Sequence, residues 1–84
     1  MTYSLRILRR ARKELARLPE GVYLQVRDSI RGPANEPRPQ GCHRLTAREG
    51  WRIRVGNYRV IYDIDDKNKT VIVLHVGHRR DVYR

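Results

Sequence analysis

Two alternating segments on either side of Gly56-Asn57 constrain the fold more than any other feature of the sequence. In residues 51–55 apolar side chains alternate with arginines, and residues 58–65 continue an alternating, β-favouring pattern. Glycine and asparagine both accept the positive φ angles of a two-residue hairpin turn. The sequence therefore predicts an antiparallel hairpin closed by these two residues.

The predicted hairpin has two chemically different faces. With a two-residue loop, Arg54 lies opposite Arg59, and the pleat places Arg52 on the same face as both. We call the surface formed by these three residues the arginine face. Asp63 lies on that side but further along the strand, so we expect incomplete neutralisation within the chain. The opposite face should pack against helices and collects Trp51, Ile53, Val55, Tyr58, Val60 and Tyr62.

Ahead of the hairpin, apolar residues spaced three and four apart predict two amphipathic helices within residues 9–31. Pro19 is expected to separate them, since proline ends a helix and is tolerated in a first helical turn. Gly32-Pro33 is expected to end the second helix, and the breaker-rich residues 32–41 are interpreted as a surface loop. The expected core positions are Ala11, Leu15, Leu18, Val22, Val26 and Ile30.

Two further strands complete the predicted sheet. Residues 3–8 form a short β-favouring stretch, and Thr70–Val76 is a nearly continuous β-branched run typical of a central strand. Gly77 is expected to end that strand and, through a bend or bulge, to redirect the basic tail. The predicted fold class is α+β in the order β-α-α-β-β-β-β, an antiparallel-rich sheet with two helices on one face.

The charge balance points to an anionic partner. The chain has 84 residues, with 19 Lys or Arg against 9 Asp or Glu and a formal net charge of +10. Sixteen of the basic residues are arginines, whose planar guanidinium binds phosphate through paired hydrogen bonds and stacks on bases. The length predicts a single domain over residues 1–84, and the charge excludes an acidic ion buffer.

No feature of the sequence indicates a membrane, metal or cofactor protein. Cys42 has no second cysteine to pair with, and no apolar run is long enough to span a bilayer, so a soluble cytoplasmic protein is expected. His43, His75 and His78 lack the spacing of a metal site with Cys42, and no cofactor motif occurs. His75 is interpreted as a buried, hydrogen-bonded core histidine.

The arginine face is the main candidate site. Arginines directly opposite each other across strands repel, so their shared placement favours an anion as a neutralising partner. For any single arginine, a basic edge that discourages aggregation is the alternative. His78 is compatible with a site role or with none, and Tyr83 with stacking on a base or with packing on the sheet.

Two longer stretches carry a family pattern. Residues 50–62 read Gly-Trp-Arg-Ile-Arg-Val-Gly-Asn-Tyr-Arg-Val-Ile-Tyr, and residues 76–83 read Val-Gly-His-Arg-Arg-Asp-Val-Tyr. Both resemble the RelE/ParE superfamily of bacterial and archaeal toxins, and the resemblance extends over nearly the whole chain. It implies a microbial-RNase-like fold and a neighbouring antitoxin that wraps and neutralises the toxin. In the RelE branch it also implies ribosome-dependent cleavage of messenger RNA in the A site, without a metal.

The resemblance implies roles for individual residues. The catalytic positions of the RelE branch match Arg52, Arg54, Arg59, Arg79 and Tyr83. Further substrate contacts are assigned to Arg44, Arg48, His78 and Arg80. At Arg52 and Arg54 the RelE branch has lysines, and arginine stays protonated above about pH 12, so it does not serve as a base. Proton transfer then needs another source, such as His78, a ribosomal group or the substrate itself.

Three functions fit these residues. The favoured one is a metal-independent endoribonuclease toxin whose partners are the ribosome, A-site mRNA and a cognate antitoxin. The second is a ParE-like toxin that traps DNA gyrase, a branch that generally lacks the assembled basic site with a terminal tyrosine. The third is a basic nucleic-acid-binding protein without catalysis. In the first two, an acidic, partly disordered antitoxin segment is expected to fold over the basic surface and an exposed apolar groove.

Overall fold

The computed structural model describes residues 3–38, 42–45 and 50–78. Within them the elements follow the predicted order β-α-α-β-β-β-β, which confirms the α+β fold. The elements are β1 (Ser4–Ile7), α1 (Arg9–Ala16), α2 (Glu20–Asn35), β2 (His43–Arg44), β3 (Trp51–Val55), β4 (Tyr58–Asp65) and β5 (Thr70–His78). Neither helix of this described part has the length and hydropathy needed to cross a bilayer.

The five strands form one sheet in the order β1-β5-β4-β3-β2. β1 runs parallel to β5, and every other neighbouring pair is antiparallel. β3, β4 and β5 each have a strand on both sides, so the segments with the clearest β pattern occupy the interior of the sheet. The short strands β1 and β2 form its two edges.

The β3–β4 hairpin has the predicted register. Arg54 is paired with Arg59, and the remaining pairs of the hairpin follow from that register. The turn differs in one respect, because Gly56 has a φ of 59° whereas Asn57 does not have a positive φ. A positive φ at the first central position alone is the pattern of a type II′ turn. The turn therefore requires a glycine at position 56 and makes no such demand of the asparagine.

β5 is longer than predicted and contains a bulge. It runs to His78, because Gly77 is paired with β4 instead of ending the strand. Its register with β4 shifts between Val73 and His75, which leaves Leu74 as the extra residue of a β-bulge. The prediction of a strand end at Gly77 was wrong, and the irregularity expected there lies at Leu74.

Both helices pack on one face of the sheet and enclose the core with it. The buried core consists of Ala11, Leu15, Val26, Ile30, Val55, Val60, Tyr62, Val71, Val73 and Val76. Trp51 and Ile53 pack against its margin, while the ring of Tyr58 meets the ring of His78 edge-on, with 5.5 Å between centroids. The apolar face of the hairpin is thus the helix side, and the arginine face is the other side.

α2 extends past its predicted end. Gly32-Pro33 lies inside the helix, which ends at Asn35, and the backbone N–H of Glu36 still bonds to the carbonyl oxygen of Gly32 at 2.8 Å. The prediction that this dipeptide stops the helix was wrong. A proline removes one helical hydrogen bond, but Pro33 is fully buried. Burial of its apolar ring offsets that loss.

Polar contacts attach the segment after α2 to the helix side of the sheet. Arg38 Nη2 pairs with Asp66 Oδ2 at 2.9 Å, and the Arg38 guanidinium lies 5.2 Å from the ring centroid of Trp51. The buried Tyr62 hydroxyl donates to the carbonyl oxygen of Pro37 at 2.9 Å. Burial also raises the pKa of Tyr62, so its hydroxyl keeps the proton that it donates.

Candidate functional site

The arginine face lies on the side of the sheet away from the helices. Arg54 of β3 is paired directly with Arg59 of β4, and Arg52 is paired with Ile61 one row further along. On antiparallel strands, directly opposite Cβ atoms lie about 4.5–5.5 Å apart and diagonal neighbours about 7–8 Å apart. Three guanidinium groups therefore share a patch small enough to contact one phosphate and its neighbours.

The sheet holds these arginines in different environments. Arg54 is exposed, whereas Arg52 and Arg59 are half-buried, and the Nε atom of Arg59 is shielded from solvent. On the reverse side of the same strands, Val55 and Val60 are buried in the core. Strands packed in this way fix the backbone positions of the side chains that they carry. The backbone of the patch is therefore preorganised, while the exposed Arg54 side chain still loses rotamer freedom on binding.

Asp63 is the carboxylate that shares the arginine side of β4. It lies four positions beyond Arg59 on the same strand, which is about 13 Å at the usual rise of a β-strand. Its Oδ1 accepts the backbone N–H of Ile64 at 2.9 Å. Asp63 therefore lies apart from the Arg54–Arg59 pair along the strand, and it is a diagonal neighbour of Arg52 across β3 and β4.

Two of the assigned substrate contacts lie on the opposite face. Arg44 is paired with Trp51, and His78 is paired with Tyr58. Residues paired across antiparallel strands project from the same side, and Trp51 and Tyr58 belong to the helix side. The structure therefore does not bring Arg44 or His78 together with the arginine face.

The other assigned residues lie outside the described part of the chain. They are Arg48, Arg79, Arg80 and Tyr83, and their roles stay predictions. The described chain ends at His78, directly after Gly77, which is paired with Arg59. The tail therefore begins next to the row of the sheet that carries Arg54 and Arg59.

His43 is a candidate that the sequence did not indicate. β2 pairs with β3 so that His43 lies directly opposite Arg52, on the arginine face, and its side chain is exposed. The register across the sheet forms one row of His43, Arg52, Ile61 and His75. Because β2 is only two residues long, it has no alternating pattern from which its register could be predicted.

His75, at the far end of this row, is shielded from solvent and contacts Glu14 of α1. It is 8% exposed, and its Nδ1 lies 2.5 Å from Glu14 Oε2. Burial of His75 agrees with its interpretation as a core histidine, although its Nδ1 approaches the Glu14 carboxylate without forming an aligned hydrogen bond. His43 is therefore the solvent-facing imidazole of the row.

The acidic residues of the β4–β5 turn are occupied by structural contacts, Asp65 within the turn and Asp66 with residues outside it. Asp65 accepts hydrogen bonds from the backbone and side-chain nitrogens of Asn68 at 3.1 and 2.8 Å, and these hold the pKa of Asp65 below its usual value. Arg38, followed by the Tyr3 hydroxyl at 2.6 Å, lowers the pKa of Asp66 in the same way. In the described ranges, no group of three His, Cys, Asp or Glu side chains is arranged to hold a metal ion.

The chain is similar in sequence to known toxins. The family described as the ParE toxin of type II toxin-antitoxin systems matches residues 5–83. Toxin RelG of Mycobacterium tuberculosis is 36% identical over 86 residues, which cover 100% of this chain and 99% of RelG. Toxin RelE of the same organism is 34% identical, with 98% of this chain and 87% of that toxin covered.

Solved structures share the fold. The archaeal RelE–RelB complex from Pyrococcus horikoshii has a TM-score of 0.83 at 28% identity, covering 98% of this chain and 100% of that one. The Mycobacterium tuberculosis toxin–antitoxin complex RelBE2 has a TM-score of 0.79 at 32% identity, covering 94% and 100%. The isolated Escherichia coli RelE toxin has a TM-score of 0.79 at 26% identity, covering 90% and 83%. As the sequence resemblance indicated, this chain belongs to the RelE/ParE superfamily of type II toxin–antitoxin toxins.

Proposed function

We propose that this RelE-like toxin cleaves messenger RNA in the A site of the ribosome and thereby inhibits translation. The observation that carries the proposal is the direct pairing of Arg54 with Arg59, with Arg52 on the next row. Like charges placed opposite each other on a sheet are unfavourable for folding. An RNA phosphate bound between them would offset this repulsion.

The chemistry of metal-free RNA cleavage matches such a patch. The ribose 2′-hydroxyl attacks the adjacent phosphorus, and negative charge grows on the phosphate oxygens. Preorganised cations stabilise such a transition state, and guanidinium groups bind its oxygens through paired, charge-assisted hydrogen bonds. We assign Arg52, Arg54 and Arg59 to binding and polarising the phosphate. Arg79 is assigned to assisting the leaving group and Tyr83 to stacking on or orienting a base.

The proposed dependence on the ribosome has a physical reason, because a small basic sheet does not by itself align the groups that react. Cleavage requires the attacking hydroxyl to be aligned with the phosphorus, and alignment accounts for a large part of the rate enhancement in enzymes. The arginine face would bind the phosphate, but a patch of charges does not by itself select one nucleotide conformation. A ribosome that holds the codon in a defined conformation would provide that alignment.

A cognate antitoxin is the second partner of the proposal. The similar solved structures include complexes of a RelE toxin with RelB. For this chain, we assign to the antitoxin an acidic segment that covers the arginine face and an apolar groove. The net charge of +10 would attract such a segment. A groove between α1 and α2, lined by Ile7, Leu15, Leu18 and Tyr23 among others, has the apolar character that an antitoxin helix requires.

Primer-extension mapping tests the proposed cleavage. One mRNA is incubated with the purified toxin, with and without ribosomes stalled at a defined codon. Cuts confined to the A-site codon support the proposal, and Arg54→Ala and Arg59→Ala should remove them. Arg31→Ala, on the exposed surface of α2, is the matched control and should cut like the wild type. Cutting of free RNA would contradict the ribosome dependence, and intact RNA in both reactions would contradict cleavage.

Inhibition of DNA gyrase is the second candidate, because the matching family is described as the ParE toxin. It predicts that the purified protein blocks DNA supercoiling and leaves ribosome-bound mRNA intact. Binding of RNA that weakens steeply with salt, with no cutting on any ribosome, would instead support a nucleic-acid-binding protein without catalysis.

A further inference from the structure

We propose that His43 is the proton acceptor of the arginine face. The inference rests on the cleavage activity proposed above and deepens it by naming the group that removes the proton from the ribose hydroxyl. Arg52, Arg54 and Arg59 carry charge but do not exchange protons at neutral pH. Imidazole is the side chain best suited to that exchange.

β2 places His43 beside the cations. His43 is paired directly with Arg52, and Arg54 occupies the diagonal position on β3. In such a ladder the Cβ atom of His43 lies about 4.5–5.5 Å from that of Arg52, and the diagonal separation to Arg54 is about 7–8 Å. The His43 side chain is exposed. A phosphate held by Arg52 and Arg54 would therefore lie within reach of the imidazole.

The connection between β2 and β3 anchors this position. The backbone N–H of Leu45 donates to the carbonyl oxygen of Gly50 at 3.0 Å. Gly50 has a φ of +130°, and a Cβ at this residue would lie 3.1 Å from Leu45 Cδ1 and 3.3 Å from the carbonyl oxygen of Tyr62. The hydrogen bond and the close packing at Leu45 therefore fix the backbone two residues after His43.

The other imidazoles are placed less suitably. His75 shares the row of His43 but is buried against Glu14, and His78 is on the helix side of the sheet, paired with Tyr58. In the described ranges, the charged groups that face His43 from β3 are Arg52 and Arg54, and neither accepts a proton at neutral pH.

The proposed step balances without a metal or a redox partner. The neutral imidazole of His43 takes the proton of the 2′-hydroxyl while the 2′-oxygen forms its bond to phosphorus. The bond between phosphorus and the 5′-oxygen breaks, which yields a 2′,3′-cyclic phosphate and a 5′-hydroxyl. The leaving oxygen takes its proton from water, and His43 returns its own proton to the resulting hydroxide. The arginine face stabilises the charge on the remaining phosphate oxygens.

Single-turnover cleavage of mRNA on stalled ribosomes tests the inference, with the wild type compared with His43→Gln and His43→Arg. Both variants are expected to cut at least about 100-fold more slowly, the lower end of what general acid–base catalysis contributes. Ribosome binding should remain, since the arginine face is intact. The His43→Arg variant distinguishes proton transfer from a purely electrostatic role at this position, because arginine keeps a positive charge but does not exchange protons.

Chemical rescue gives a readout that a structural role would not produce. Free imidazole should restore cutting by His43→Ala and should not restore cutting by Arg59→Ala. The wild-type rate should also rise with pH along an acidic limb that is absent from His43→Gln. Thermal unfolding and antitoxin binding check that each variant is folded, which we expect because His43 is exposed on a short edge strand.

Each outcome decides between the two proposals. Wild-type cutting together with equally fast cutting by His43→Gln or His43→Arg overturns the role of His43 and leaves the proposed function standing. No rescue by imidazole in a folded, ribosome-binding His43→Ala variant also overturns it. A wild type that does not cut on ribosomes contradicts the proposed function and the role of His43 together.

Discussion

Glu14 of α1 accepts a hydrogen bond from the backbone N–H of Val76 in β5, with 2.9 Å between Glu14 Oε1 and the nitrogen. Its other oxygen lies 2.5 Å from His75 Nδ1. β1 pairs with β5 only as far as Val73, so a side chain from α1 replaces the missing strand at Val76. This contact ties the first helix to the strand that leads into the C-terminal tail.

Replacement of Glu14 should measure the strength of this contact. Glu14→Ala leaves the Val76 N–H and the buried His75 Nδ1 without their partner, so we expect a loss of about 1–3 kcal/mol in the free energy of unfolding. Glu14→Gln should cost less, because its amide oxygen still accepts from Val76. Urea unfolding gives both values. Arg10→Ala removes only an exposed ion pair to Glu14 at 3.6 Å and should change the free energy by less than about 1 kcal/mol. Equal losses for Glu14→Ala and Glu14→Gln would contradict this account.

Arg54 should contribute to activity and not to stability. Arg54→Ala removes a cation from the proposed phosphate site, and we expect single-turnover cleavage on ribosomes to fall by about 10²–10³-fold. The same change relieves repulsion with Arg59, so the free energy of unfolding should stay equal or rise by up to about 1 kcal/mol. Urea unfolding and cleavage are measured on the same preparation, with Arg31→Ala as the control. A parallel loss of stability and activity in Arg54→Ala would mean that this residue maintains the fold.

The Arg38–Asp66 pair should make stability depend on acidic pH. The hydrogen bond from Arg38, and then that from Tyr3, lowers the pKa of Asp66 in the folded protein. A carboxyl group whose folded pKa is lowered stabilises the protein above its unfolded pKa of about 3.9, and this stability is lost as pH falls through the folded value. The wild type should therefore melt at a higher temperature than Asp66→Asn near neutral pH, and the two should converge in acid. Arg38→Gln should also approach the wild type in acid, apart from the loss of its contact with Trp51, and an Asp66→Asn difference that persists in acid would contradict the assignment.

Gly50 should be intolerant of a side chain. Its φ of +130° is strained for any L-residue, and an added Cβ would lie within 3.3 Å of two neighbours. Gly50→Ala is expected to lower the free energy of unfolding by about 1–3 kcal/mol. It should also slow cleavage, because it would displace β2, the strand that carries His43. Gly21→Ala in α2 is the matched control, because nothing lies within 4 Å of its Cβ position. That control should be stabilising by up to about 1 kcal/mol. A Gly50→Ala protein as stable as Gly21→Ala would show that the backbone at 50 adapts.

The arginine face was predictable because its determinants are local. A period of two and a two-residue turn decide which side chains share a face. These rules place Arg52, Arg54 and Arg59 together, and the structure has the same register. The turn itself was predicted less well, since Asn57 does not use the positive φ that made it a hairpin signal.

The end of α2 shows where local rules fail. Gly32-Pro33 is a strong stop signal in isolation, yet the helix continues to Asn35. Burial of Pro33 favours the extra turn, and what packs against a residue is not encoded in its neighbours along the chain. The bulge at Leu74 was mislocated for a related reason, because a register shift depends on both strands.

The sequence by itself determined the order of the elements, the hairpin register and the family, since these depend on periodicity, turn residues and motifs that lie close together in the chain. Only the tertiary structure decided that His43 faces Arg52 and that His78 lies on the other side of the sheet. It also decided that Glu14 closes off His75. The physical reason is that a two-residue strand has no period of its own, and a contact between residues 14 and 75 forms only when α1 packs beside β5.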